Sequence, residues 1–171
     1  MRRLKLPLIF TLIFVLVGCG NSKSAEKDLL IENIEIMAEG PLFEGSNTGQ
    51  ALIEAPLSDF LNEHKLTNEQ LNSAKVSEIV LTTDDSTNFD LFQSITLQIV
   101  SDQTDMIKLG LINPIEKNSQ SLTLKIAEEQ EKLIEVLKQD NVYIIADAIL
   151  TQDTDSNLKI KCKINFKISH K

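Results

Sequence analysis

The chain has 171 residues, of which 42% are hydrophobic and 25% charged, and its formal net charge at pH 7 is −8. This composition is typical of a globular protein. With 6 Gly, 4 Pro and 2 Cys it excludes collagen-like, low-complexity and disulfide-stapled chains. A phosphate backbone repels an acidic surface, so we expect no nucleic-acid partner.

The first eighteen residues predict a secretory signal peptide. Residues 1–5 include Arg2, Arg3 and Lys5, residues 6–17 contain no charge, and the small residue Gly18 precedes Cys19. This order of a basic, an apolar and a cleavage region is typical of a signal that is removed from the mature protein. A membrane-spanning helix needs about 20 apolar residues, and the apolar stretch here is shorter.

The sequence Leu16-Val17-Gly18-Cys19 resembles the lipobox of bacterial lipoproteins. The resemblance implies cleavage between Gly18 and Cys19, a diacylglyceryl thioether on Cys19 and, in many bacteria, a further acyl chain such as palmitate on the new amino group. It therefore implies a lipid anchor that holds the protein to a membrane of the bacterial cell envelope. Gly20, in place of an Asp, follows the cysteine, and within this family that favours the outer over the inner membrane.

The chain divides into three parts on this interpretation. Residues 1–18 form the signal peptide, residues 19–28 the lipidated cysteine with a flexible tether, and residues 29–171 a single β-rich domain. The tether is assigned because residues 20–28 show no hydrophobic periodicity and contain Gly, Ser and Lys. With lipid on Cys19, Cys162 would be the remaining thiol, so we expect no intramolecular disulfide.

Alternation of apolar and polar residues dominates the chain after the tether and predicts strands that are solvated on one face. The alternating segments are centred on residues 34–36, 79–81, 95–99, 122–126 and 158–168. Residues 142–150, which are apolar on both faces apart from Tyr143 and Asp147, predict a central strand. Residues 151–157 are expected to join it to the last strand as an antiparallel hairpin.

Two segments carry helical signals. Residues 128–138 place Leu133, Ile134 and Leu137 on one stripe, and residues 57–73 contain a capping-box sequence at 67–70. We therefore expect a mainly β fold, an antiparallel β-sandwich of immunoglobulin-like or jelly-roll type with one or two short helices. A small β-barrel is the alternative, because periodicity does not distinguish the two.

A row of lysines on the last strand is a candidate contact surface. The alternation puts four of them on one face: Lys159, Lys161, Lys163 and Lys167. One interpretation is an edge strand that its lysines protect against sheet-to-sheet aggregation. The functional interpretation is contact with anionic lipid head groups, envelope polysaccharide or an acidic partner protein.

The loop before that strand carries a weak calcium signal. Asp153, Asp155 and Asn157 have the spacing that opens a calcium-binding loop. Calcium takes six to eight oxygen ligands, and the Gly and the bidentate Glu that complete such a loop are absent here. An acidic turn is the simpler interpretation, so the sequence predicts no metal site and no cofactor.

The chain carries no recognisable catalytic motif. Neither His64 nor His170 lies in a nucleophile or zinc motif, and Cys162 shares an apolar face that predicts burial. We therefore expect a non-enzymatic envelope lipoprotein that acts through its surface on another envelope component. The alternatives are a carrier of an apolar molecule, with a cavity between its strands, and an enzyme whose site is assembled from scattered residues.

Overall fold

The computed structural model describes residues 24–83 and 88–171. The predicted signal peptide, the cleavage site and Cys19 lie outside these residues. The described chain forms nine strands and two short helices. The strands are β1 (Ala25–Ala38), β2 (Gly45–Glu54), β3 (Leu71–Thr82), β4 (Phe92–Ser101), β5 (Thr104–Ile112), β6 (Ser121–Thr123), β7 (Lys125–Ile126), β8 (Asn141–Leu150) and β9 (Leu158–His170). The helices are α1 (Ser58–His64) and α2 (Leu133–Leu137), and a 3-10 turn spans Asn68–Gln70.

All nine strands belong to one antiparallel sheet with the order β6-β3-β9-β1-β2-β8-β4-β5-β7. The two ends of this order are neighbours in the chain, because a single residue, Leu124, separates β6 from β7. The Leu124 N–H donates to the Ile79 carbonyl oxygen of β3 at 3.1 Å. One short segment thus bridges both ends and nearly closes the sheet. The predicted mainly β, antiparallel class with two short helices is confirmed, and the nearly closed sheet fits both a sandwich and a small barrel.

The inward faces of the strands form one continuous core. The alternation on β9 is confirmed, since Ile160, Cys162, Ile164, Phe166 and Ile168 are all buried. Inward residues of β3, β4 and β8 complete the interior, and Leu133 and Val136 of α2 are fully buried against it. Burying aliphatic side chains in this way stabilises the fold by about 1.5–3 kcal/mol for each one fully removed from water.

The closure requires a close backbone approach at Gly110. A Cβ atom at this position would lie 2.9 Å from the Lys125 carbonyl oxygen and 3.0 Å from Ile79 Cδ1. Real Cβ contacts are longer, so β7 can pair with β5 at Gly110 because this residue has no side chain.

The predicted hairpin between the last two strands is wrong. β8 pairs with β2 and β4, whereas β9 pairs with β1 and β3. Residues 151–157 therefore cross one end of the sheet, over the β1–β2 pair that separates the two strands. β9 is also an interior strand and not an edge, so edge protection does not explain its lysines.

The structure corrects the predicted tether as well. Ala25–Ala38 form β1, so residues 25–28 belong to the sheet, where they pair in register with Lys167–His170 of β9. Ala25, Glu26 and Asp28 are exposed. Backbone pairing and not side-chain burial holds them, which is why hydropathy carried no signal there.

The predicted helical region at 57–73 contains one short helix and one 3-10 turn. α1 ends at His64, where Lys65 takes a left-handed conformation with φ of 54°. The predicted capping-box sequence supports the 3-10 turn, in which the Thr67 N–H donates to Gln70 Oε1 at 2.8 Å. β3 then begins at Leu71.

Candidate functional site

The lysine row lies on the outer face of β9 beside the carboxylates of β1. Lys159 Nζ is 2.7 Å from Glu35 Oε1, and Lys163 Nζ is 3.2 Å from Glu32 Oε1. Both ion pairs are on the surface, with side chains 38–50% exposed, so each contributes no more than about 1 kcal/mol to stability. Their main consequence is electrostatic, because the carboxylates offset the positive potential of these two lysines.

The end of β9 that pairs with the start of β1 has different neighbours. There Lys167 lies opposite Lys75 of β3 and Asp28 of β1. At about 3.3 Å per residue, Lys159 lies about 26 Å from this end. The four lysines therefore do not form one uniform cationic surface.

The predicted calcium ligands hold a neighbouring loop in place. Asp153 Oδ1 accepts from the Glu44 N–H at 2.7 Å, and Asn157 Oδ1 accepts from the Gly40 N–H at 2.9 Å. Their oxygens thus bind backbone donors of the connection between β1 and β2. No group of three or more His, Cys, Asp or Glu side chains that could hold a metal ion occurs in the described part of the chain.

The thiol of Cys162 is buried in the core. The residue is 1% exposed, and burial raises the pKa of its thiol to about 12, because the interior disfavours the thiolate. His64 packs edge-on against Phe60, with ring centroids 4.7 Å apart, and its Nδ1 lies 3.4 Å from Lys27 Nζ. His170 Nδ1 lies 3.3 Å from the carbonyl oxygen of Lys171. His64 thus lies between α1 and β1, and His170 lies at the end of β9.

One small cavity lies between β1, β2, β8 and β9. Its volume is about 20 Å³, which is close to the space that one water molecule needs. Small residues such as Gly49, Ala146 and Ala148 line it. A lipid chain does not fit into this space.

The outer face of β2, β8 and β4 carries apolar side chains. Leu52 is 50% and Ile149 39% exposed. Tyr143 of β8 lies between Leu52 of β2 and Val100 of β4 in the strand register. We call the set Leu52, Val100, Tyr143, Ile145 and Ile149 the apolar outer face. Leu52, Tyr143, Val100 and Ile145 lie side by side, whereas the polar row of Thr48, Asp147 and Thr96 separates Ile149 from them. Exposed apolar side chains grouped in this way make the face a candidate contact surface.

Asp147 lies within the apolar outer face and has its own partners. Its two carboxylate oxygens accept from Thr48 Oγ1 and from Gln98 Nε2, each at 2.7 Å. Cross-strand hydrogen bonds thus fix the carboxylate of Asp147 between β2 and β4.

β6 and β7 connect β3 to β5 only near the C-terminal ends of these two strands. A gap in the sheet therefore lies between the N-terminal parts of β3 and β5. On the β3 side, side chains satisfy the backbone. The Val76 N–H donates to Gln130 Oε1 at 2.8 Å, and Lys138 Nζ donates to the Leu71 carbonyl oxygen at 3.3 Å. Gln130 Nε2 also donates to the Ala127 carbonyl oxygen at 3.0 Å. The side chains of Gln130 and Lys138 therefore take the place of a neighbouring strand.

The β5 side of the gap is open. β7 pairs with β5 only at Gly110 and Leu111, and one further bond joins the Ala127 N–H to the Leu109 carbonyl oxygen at 2.9 Å. No strand of the described residues pairs with this side of β5 from Thr104 to Lys108. An open groove of about 770 Å³ runs here, lined by Asp105–Lys108 and Leu111 on one side and by residues 125–129, 131 and 132 on the other. We call it the β5 groove.

The sequence reasoning identified neither the β5 groove nor the apolar outer face. Leu52 lies on a strand that was not predicted, and the groove depends on which strands are neighbours. The mostly apolar segment 142–150 was the one available signal. A strand with apolar residues on both faces must expose one set of them if only the other face meets the core.

No protein-family model matches the chain, and a search of curated proteins finds no significant relative. Within the described residues, neither helix is long and apolar enough to span a membrane.

Proposed function

We propose that this protein is a lipid-anchored, non-catalytic protein of the bacterial cell envelope that acts by binding another envelope component. The lipobox resemblance at residues 16–19 supports the anchor, and the preference for the outer membrane rests on Gly20. The observation that carries the binding function is the apolar outer face, in which Leu52 and Ile149 are 50% and 39% exposed. Covering these side chains releases water from apolar surface and favours association.

The position of β1 defines how such an anchor would hold the domain. Ala25, the first residue of β1, follows Cys19 by six residues, which span about 20 Å when fully extended. The start of β1 and the end of β9 would therefore lie close to the membrane surface. Lys75, Lys167 and Lys171 lie at this end, where they would face anionic lipid head groups.

Native mass spectrometry of the full-length protein, extracted from its own membrane in mild detergent, tests the proposal. The expected mass begins at Cys19 and includes acyl chains, with a stoichiometric partner protein bound. A mass that retains residues 1–18 would contradict the anchor. A tightly held small molecule without a protein partner would favour the carrier instead.

A binding assay tests the lysines separately. The variant with Lys159, Lys161, Lys163 and Lys167 all changed to Gln should bind vesicles of anionic phospholipid more weakly than wild type. Within the row, Lys167→Gln should weaken binding more than Lys159→Gln, because Lys159 is ion-paired and distant from the anchored end. Equal binding by the quadruple variant and wild type would exclude the lysine contact and leave the lipid anchor untouched.

A further inference from the structure

The β5 groove combines two features that a bound ligand would have to match. One is the free backbone edge of Thr104–Lys108, whose five residues extend over about 17 Å. The other is the apolar side chain of Met106, which is 50% exposed, together with the partly exposed Leu111. On the opposite side of the gap, Gln130 and Lys138 occupy the edge of β3, so that edge is not open in the same way.

We propose that the β5 groove binds an extended segment of a partner protein, which adds to β5 as a further strand. The proposal rests on the proposed binding function and adds a second contact site, on β5, to the apolar outer face that carries that function; it also names the chemistry of the partner. It does not depend on the lipid anchor. The bound segment would continue the sheet beyond β5 and fill the space between β5 and residues 125–132.

The free edge selects for a polypeptide. An edge strand presents N–H donors and carbonyl acceptors in alternation, and an extended backbone offers the complementary groups at the same spacing. An acyl chain offers neither group and would leave the edge unpaired. Apolar residues at alternate positions of the segment would contact Met106 and Leu111, so the expected partner sequence alternates in hydrophobicity.

The wall opposite β5 favours a single strand over a second folded copy of this chain. Residues 125–132 lie across the groove, where a folded partner would have to place the rest of its sheet. The register of β5 with β4 shifts between Lys108 and Gly110 and again between Thr104 and Ile107, so an added strand would have to follow a bulged edge.

Site-specific photo-crosslinking in cells that make the full-length protein tests this proposal. A photoreactive amino acid is placed at Met106 in one variant and at Met37 in a control. Both methionines lie on strands and have similar exposure, 50% and 43%. The Met106 variant should form an adduct with one partner protein, at neighbouring residues of a single segment, and the Met37 variant should not.

Hydrogen exchange provides the second measurement, on wild-type protein. The amides of Thr104–Lys108 that point away from β4 should exchange at least tenfold more slowly in native membranes than in the purified protein. An adduct at Met106 without this protection would indicate a side-chain contact and would overturn strand addition. An adduct within the chain or with a second copy would overturn the partner segment, as would equal crosslinking at both positions or at neither.

The mass of the same preparations separates this proposal from the lipid anchor. An acylated protein that shows neither an adduct nor protection contradicts strand addition alone. A protein that retains residues 1–18 but shows both contradicts the anchor alone.

Discussion

Replacing Gln130 should reveal how much the side-chain cap on β3 stabilises the sheet. Gln130 is 7% exposed, accepts from the Val76 N–H and donates to the Ala127 carbonyl oxygen. In the variant Gln130→Met the side chain keeps nearly the same length and volume, so the substitution removes hydrogen bonds without opening a cavity.

The expected loss of stability follows from the two bonds. A typical net contribution is about 1 kcal/mol for each hydrogen bond, and a buried donor left without a partner costs about 1–3 kcal/mol. We therefore expect the free energy of unfolding to fall by about 2–3 kcal/mol. For a chain of this size that lowers the melting temperature by roughly 5–10 °C.

Urea denaturation of wild type and variant measures this loss, and Gln139→Met is the matched control. Gln139 Nε2 donates to the Glu135 carbonyl oxygen at 3.1 Å, but this bond is exposed to solvent. Water replaces an exposed bond, so the control should lose less than about 0.5 kcal/mol. Equal losses in the two variants would refute the reasoning, because the cap on β3 would then be no stronger than a surface contact.

Three further predictions concern other parts of the fold. Gly110→Ala should lower the free energy of unfolding, measured by urea denaturation, by more than about 1 kcal/mol, because the alanine Cβ would lie 2.9 Å from the Lys125 carbonyl oxygen. An unchanged denaturation midpoint would contradict this close approach. Asp153→Ala should cost no more than about 0.5 kcal/mol in calcium-free buffer, because its bond to the Glu44 N–H is exposed to solvent, whereas a larger loss seen only when calcium is present would favour a metal site. Cys162 should react with a thiol reagent at pH 8 only after unfolding. Rapid labelling of the folded protein would contradict the burial of this thiol. The contribution of Cys162 to the free energy of unfolding should be intact below pH 9 and fall as the pH rises toward about 12, because the thiol ionises first in the unfolded chain.

The alternating strands were predictable because each pattern reflects a local choice between core and solvent. On β9 every second residue from Ile160 to Ile168 is buried, as the sequence indicated. Two strands escaped prediction because their inward positions are weakly hydrophobic or irregular. On β2 the inward residues include Asn47, Gly49 and Ala51, and on β5 the bulge at Leu109 interrupts the alternation.

The candidate sites depend on which strands and loops are neighbours in space, and sequence patterns do not show this. The lysine row was visible, but the carboxylates of Glu32 and Glu35 reach it only because β1 pairs with β9. The acidic loop was visible too, but its role became clear only from the contact of Asp153 with Glu44.

The sequence by itself determined the class of the fold, the position of most strands and the burial of Cys162, since side-chain periodicity records which face of a strand meets the core. Only the tertiary structure decided which strands pair, where the sheet remains open and which polar groups are satisfied. Backbone hydrogen bonds form the sheet, and every residue except proline carries the same donor and acceptor. The free edge of β5 is a property of the pairing and leaves no mark in the residues that line it.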